Sequence, residues 1–338
     1  MTENNKSFQK AAARPARAFD FEAAVDEAYT RQPELRDKVF FIDISAGKIA
    51  HPDPDVVQEL IDLFQNSDAG RKHLQPRIQS LRQSKTSYCH INGPGGGFVM
   101  LYAADDRRSF TPTGQSADKK DQEMFFIFDH ELAHAIIPEG SSDNRFLAET
   151  AADAYAAVRH FQRFGRDSQM IAEMRDARAQ NTFFEDGGIF NFSSPVLTRI
   201  IEDAKSVPFE KFSDAETTAY VSGMAQQHAP DGPTLRSLYD AYAVIKEQPS
   251  LAQLKNVVAR TEDTAVLHWG RIALDAFRRQ ETEKPQSKTE QHRSLRRKIS
   301  AQFNTAQTRK PLRSGQTQTK RPVRRPPRHD RAYVQASA

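Results

Sequence analysis

Residues 124–137 read MFFIFDHELAHAII, and this stretch decides how the rest of the chain is interpreted. Its apolar first five residues lead into His130, Glu131 and His134, with good helix formers between them. The pattern predicts a half-buried helix that Pro138 ends or bends. Residues four apart lie on one face of a helix, so the two imidazoles can reach one metal ion, with Glu131 beside them.

The HExxH spacing is typical of metal-assisted hydrolysis, most often of a peptide bond. In that chemistry Glu131 is the general base for a water held by the metal. A catalytic zinc usually has three protein ligands and one position open to water, so a third ligand must come from elsewhere in the chain. Ile137 and Gly140 stand where a metzincin needs Gly and His, which excludes that class.

A second pattern follows at residues 146–153, which read FLAETAAD and predict the start of another helix. Glu149 and Asp153 are four residues apart and therefore share a face. Their surroundings are alanine-rich and aromatic, and a carboxylate in apolar surroundings is costly unless it is paired or binds a metal. Either carboxylate is a candidate ligand, and the alternative for Glu149 is an ordinary solvated helix charge.

Taken together, HELAH and ETAAD resemble the gluzincin zinc metallopeptidases, in which HExxH is followed by ExxxD on a second helix. The resemblance implies that His130, His134 and Glu149 bind one zinc ion. It implies that Glu131 is the general base. It also implies that Asp153 orients a ligand imidazole rather than binding the metal.

The resemblance covers only residues 124–165, so the remainder is interpreted from its own pattern. The predicted fold class is α+β, in one metallopeptidase-like domain spanning residues 19–280. Its N-terminal part, 19–165, has a β-hairpin or short sheet beside the active-site helix, and a mainly helical lobe follows at 166–280. Periodicity predicts, before the motifs, helices at 19–30, 53–64 and 71–83 and strands at 38–44, 87–91 and 98–103. After the second motif helix it predicts helices at 167–180, 193–205, 213–227, 232–246, 249–260 and 262–280.

Three further features leave alternatives open. The glycine cluster at 92–97 is either a flexible hairpin turn or places 98–103 at the rim of the site, where its edge accepts an extended substrate. Cys89 is the only cysteine and is expected to be a buried or inert thiol. The helical lobe is expected to form the other wall of the cleft. Its candidates for oxyanion stabilisation are Tyr220, His228, Tyr239, Tyr242 and His268, each more often structural than catalytic.

The charge is divided unevenly along the chain. Residues 281–338 hold 15 Lys and Arg against 4 Asp and Glu, a net charge of +11. Since the whole chain has a net charge of +4, the first 280 residues have a net charge of −7. Low apolar content predicts disorder for this basic tail and for residues 1–18. The tail is either a solubilising segment, a contact for nucleic acid or an acidic partner, or a targeting or secretion signal.

No apolar run approaches the ~20 residues that a membrane span needs, and residues 1–18 lack the apolar core of a signal peptide. The expected compartment is the cytoplasm, with secretion through the basic tail as the alternative. Two functions remain. The first is a soluble zinc metallopeptidase that acts on a peptide or protein. The alternative is an interaction or nucleic-acid-binding protein in which the zinc site is structural or vestigial.

Overall fold

The computed structural model of the chain describes residues 18–67, 75–84, 88–91, 97–103, 117–184 and 192–282. The predicted disorder at 1–18 and 281–338 and the expected turn at 92–97 lie outside these ranges except at residues 18, 97, 281 and 282. Residues 281 and 282 belong to the last helix, so the prediction of disorder is wrong for these two. Within them, no helix combines the length and the apolar character that crossing a membrane requires.

The N-terminal part contains the helices and strands that periodicity predicts, together with one short strand that it misses. These elements are α1 (Phe21–Arg31), β1 (Val39–Asp43), β2 (Lys48–Ala50), α2 (Pro54–Asn66), α3 (Gln75–Ser84), β3 (Tyr88–Ile91), β4 (Phe98–Tyr102) and α4 (Ala117–Ile136). The missed strand, β2, has three residues and is too short to show an alternating pattern.

The strands form one sheet in the order β2-β1-β4-β3. β3 and β4 pair antiparallel, which confirms the predicted hairpin, while β1 and β4 pair parallel. β4 is therefore paired on both sides, so the alternative interpretation, in which the edge of residues 98–103 accepts a substrate, is wrong. Gly97 precedes β4, where a Cβ atom would lie 2.6 Å from the Lys38 carbonyl oxygen. Its lack of a side chain lets the Phe98 N–H donate to that oxygen at 2.7 Å.

Helices cover both faces of the sheet, so all five residues of β1 are buried. α1 and α4 pack on one face, where Phe41 of β1 and Tyr102 of β4 meet Phe128 of α4. α2 and α3 pack on the other, where Leu60 and Leu81 are buried. A strand buried on both faces is apolar throughout, which explains why β1 was readable as a strand without alternation.

The second motif helix and the helical lobe follow the predicted pattern to within a few residues. They comprise α5 (Arg145–Phe164), α6 (Met170–Phe184), α7 (Ser194–Asp203), α8 (Asp214–His228), α9 (Gly232–Glu247), α10 (Leu251–Arg260) and α11 (Thr264–Thr282). α5 packs against α4, α7 and α8. α6 joins α9, α10 and α11 in a separate apolar cluster. The α+β prediction, with a small sheet followed by a helical lobe, is confirmed.

A buried ionic cluster holds α4 against α5. Arg163 of α5 donates to Asp129 of α4 at 2.7 Å and to Glu27 of α1 at 3.0 Å, while Arg159 also donates to Glu27 at 2.8 Å. Burial raises the pKa of Asp129 above its usual range, although Arg163 opposes this. Asp129 directly precedes His130, so these contacts fix the helix at the point where the motif begins.

Candidate metal centre

α4 and α5 bring the two sequence motifs together. His130 Nε2 lies 3.4 Å from Glu149 Oε2, and His134 Nε2 lies 3.9 Å from Glu149 Oε1. The two imidazole rings are nearly perpendicular, with centroids 5.1 Å apart. All three side chains are partly exposed, His130 least at 11%. Glu131 is half-buried in the same turn of α4.

Hydrogen bonds to the other ring nitrogens direct both Nε2 atoms toward Glu149. His130 Nδ1 lies 2.8 Å from Asp153 Oδ1, and His134 Nδ1 lies 2.8 Å from the Gly140 carbonyl oxygen. A carbonyl or a carboxylate only accepts, so each Nδ1 carries the proton and donates. When the ring is neutral, this leaves the Nε2 lone pair for a metal, the arrangement found for most metal-binding histidines.

The distances from Glu149 to the two histidines fit a small tetrahedral ion. One donor atom from each of His130, His134 and Glu149 lies within 4.8 Å of the other two. Donors about 2.1 Å from a zinc ion at tetrahedral angles are about 3.4 Å apart. The Glu149 contacts of 3.4 and 3.9 Å are close to that spacing. These three residues could therefore hold a metal ion, and two nitrogens with one carboxylate form a donor set that suits zinc.

Asp153 lies on the other side of the His130 ring from Glu149. Its side chain is fully buried and contacts His130 through Nδ1, the nitrogen turned away from Glu149. Arg178 of α6 grips it with two hydrogen bonds, Nε to Oδ2 at 2.8 Å and Nη2 to Oδ1 at 2.9 Å. The Ser193 hydroxyl also donates to Oδ2. Burial raises the pKa of Asp153, but the Arg178 and His130 contacts outweigh it and hold that pKa well below its usual range.

The electrostatics of the metal-free site favour a charged pair. Burial lowers the pKa of His130, but hydrogen bonds to Asp153 and Glu149 outweigh it and raise the pKa to about 10. Burial raises the pKa of Glu149, but the contact with His130 outweighs it and leaves that pKa below its usual value. Protonated His130 thus occupies the place of a cation between two carboxylates. A metal ion that binds here must displace that proton.

The short loop between the two helices places the acceptor for His134. Residues Pro138–Ser141 form a single 3-10 turn, in which the Gly140 N–H donates to Ile137 O at 2.9 Å. Glu139 fastens this turn to α8, because its carboxylate accepts from the Ser222 hydroxyl and from Gln226 Nε2 at 2.8 Å. These hydrogen bonds lower the pKa of Glu139 against the opposing effect of its partial burial. The loop therefore presents the Gly140 carbonyl from a fixed position.

Of the five candidates for oxyanion stabilisation, the three tyrosines contact other residues of the helical lobe. Tyr220 donates to Asp203 Oδ2 at 2.7 Å. Tyr239 packs on Phe192, and the Lys246 ammonium lies over the Tyr242 ring. The other two candidates are His228 and His268, and burial lowers the pKa of each. Nothing described singles out one of the five as an oxyanion donor.

The sequence brings out the three candidate ligands but gives no sign of three groups that hydrogen-bond to them or to Asp153. Arg178 lay in a predicted helix with no feature to distinguish it. Ser193 occupies the N-cap position of α7, where a serine is expected to cap, yet its side chain makes no capping bond and turns to Asp153. Gly140 entered the sequence argument only at the position where a metzincin needs His, and nothing in the sequence indicates that its carbonyl accepts from His134.

Comparison of the chain with known proteins found no matching family model, no matching curated protein and no matching solved structure.

Proposed function

We propose that this chain is a zinc-dependent peptidase of gluzincin type. One observation carries the proposal: the Nε2 atoms of His130 and His134 converge on the Glu149 carboxylate, while each Nδ1 is held by a separate acceptor. A lone pair of histidines on a helix needs no such orientation. The partial exposure of the three side chains is what access for a substrate requires.

The chemistry divides between the metal and one carboxylate. When bound, zinc lowers the pKa of a coordinated water towards ~7 and polarises a carbonyl oxygen. Glu131 then accepts a proton from the attacking water and delivers it to the departing amine. Its place in the turn of α4 that carries both histidines suits this role, and a purely structural metal site has no need of a carboxylate there. The substrate class is a peptide or an unfolded protein.

The test combines metal content with cleavage of an unbiased peptide library. The parent protein should bind one zinc ion per chain and cleave, and chelation should stop the cleavage. Glu131→Gln should retain zinc and the fold but lose hydrolysis, because Gln keeps the shape and cannot accept the proton. Glu210→Gln, at an exposed residue paired with Arg166, is the control and should cleave normally. Normal turnover by Glu131→Gln would exclude this mechanism.

The charge of residues 281–338 favours a second candidate function. A net charge of +11 on 58 residues suits binding to a polyanion such as nucleic acid. Such binding releases counterions, so its affinity falls steeply as the salt concentration rises. Residues 1–282 alone should then lose this binding and keep zinc. A full chain with no salt-sensitive binding to nucleic acid would remove this candidate.

A further inference from the structure

The geometry points to Arg178 and Ser193 as positioning residues for the metal site, which act on the ligand His130 through Asp153. This inference rests on the proposed metal site and extends it from α4 and α5 into the helical lobe. Arg178 lies on α6, and Ser193 lies immediately before α7. Neither residue belongs to the two sequence motifs.

The contacts form a chain that ends on the metal-facing ring. Asp153 accepts from His130 through Oδ1, and both of its oxygens also accept from the lobe: Oδ1 from Arg178 Nη2, and Oδ2 from Arg178 Nε and the Ser193 hydroxyl. A carboxylate that accepts two hydrogen bonds from one guanidinium cannot rotate about its Cβ–Cγ bond without breaking one of them. The orientation of the His130 ring therefore depends on both lobe residues.

Burial makes this dependence stronger than it would be at the surface. The Asp153 side chain is fully buried, and Arg178 and Ser193 are 9% and 1% exposed. Water cannot replace a missing donor in such a place without rearrangement, so a lost contact leaves the carboxylate free to turn or forces it to shift. Ser193 gives up a helix-capping bond to make its contact. Removing its hydroxyl consequently removes no cap from α7.

The neighbouring serine provides a matched control. Ser194 is also fully buried, in the first turn of α7, and its hydroxyl has no hydrogen-bond partner among the described residues. Ser193→Ala and Ser194→Ala thus delete the same atom from adjacent buried positions, and only the first touches Asp153. For the arginine, Arg175→Met on the same helix removes a similarly buried guanidinium that pairs with Asp176 instead.

The experiment measures zinc dissociation constants of the full-length variants by competition with a chelator, with circular dichroism to establish folding. Ser193→Ala should weaken zinc binding roughly 10-fold, and Arg178→Met roughly 10–100-fold, the range for losses behind a metal ligand. Ser194→Ala and Arg175→Met should bind like the parent. Arg178→Lys should recover part of the affinity. Should Arg178→Met fail to fold, Ser193→Ala against Ser194→Ala still decides the matter.

A double-mutant cycle separates positioning from a general loss of stability. In an Asp153→Ala background, Ser193→Ala should change zinc affinity by less than about 2-fold, because the route to His130 is already cut. A full 10-fold effect in that background would overturn the inference. It would also be overturned if the single variant Ser193→Ala bound zinc as tightly as Ser194→Ala or the parent. A parent protein that binds no zinc would instead overturn the proposed metal site itself.

Discussion

Gly140→Ala should weaken zinc binding at the proposed metal site, because it moves the carbonyl group that His134 donates to. A Cβ atom at this position would lie 2.4 Å from the Ala133 carbonyl oxygen and 3.1 Å from the His134 Cα atom. Both neighbours are backbone of α4, so no side chain can rotate out of the way. The loop itself must retreat, although Glu139 fastens it to α8.

The size of the retreat follows from the contact distances. Ordinary van der Waals contact for a Cβ atom begins near 3.4 Å, so the turn must move by about 1 Å. The His134 Nδ1 bond to the Gly140 carbonyl is 2.8 Å, and a further ~1 Å takes it beyond hydrogen-bonding range. Overpacking of this kind costs about 1–3 kcal/mol of folding free energy. A lost support behind a metal ligand weakens metal binding roughly 10–100-fold.

Zinc competition titration and thermal unfolding measure the two effects separately. Gly223→Ala is the control, because a Cβ atom added there, in the interior of α8, would meet no described atom within 4 Å. That change should leave zinc affinity unaltered and stabilise the helix by roughly 0.5–1 kcal/mol. If Gly140→Ala folds and binds zinc as tightly as Gly223→Ala, then the Gly140 carbonyl does not orient His134.

Three other predictions concern the ligands and the pH dependence. Glu149→Ala should weaken zinc binding far more than Asp153→Ala in a metal titration, because only Glu149 faces both Nε2 atoms; the reverse order would make Asp153 the ligand. Zinc binding at pH 8 should release about one proton, because the pKa of His130 in the metal-free site is about 10; calorimetric enthalpies that do not vary with the buffer would contradict this. Burial lowers the pKa of His160 to about 3, and its Nε2 lies 2.7 Å from the Ser168 hydroxyl oxygen. Since the unfolded histidine binds a proton near pH 6.5 and the folded one does not, stability is lost as pH falls from 6.5 towards 3. Between pH 7 and 5 the parent should lose about 2 kcal/mol more than His160→Gln in urea unfolding, and equal losses would show that His160 protonates freely in the fold.

Local sequence was enough for the helices, for three of the four strands and for the candidate ligand set. The helices that carry His130, His134 and Glu149 follow from apolar periodicity, which depends on residues within two turns of one another. Their spacing places each pair of polar groups on one helix face before any tertiary contact is known. The hairpin of β3 and β4 was readable for the same reason, because its strands are neighbours in sequence.

Only the tertiary structure decided how distant elements pair and which residues hydrogen-bond to Asp153. The parallel pairing of β1 with β4 makes β4 an interior strand, and no feature of residues 98–103 announces it. Arg178 and Ser193 reach Asp153 across 25 and 40 residues of sequence. Local rules assign Ser193 to a helix cap, yet the buried Asp153 carboxylate takes its hydroxyl instead. A buried charge needs several donors, and which residues supply them depends on how α5, α6 and α7 pack in three dimensions.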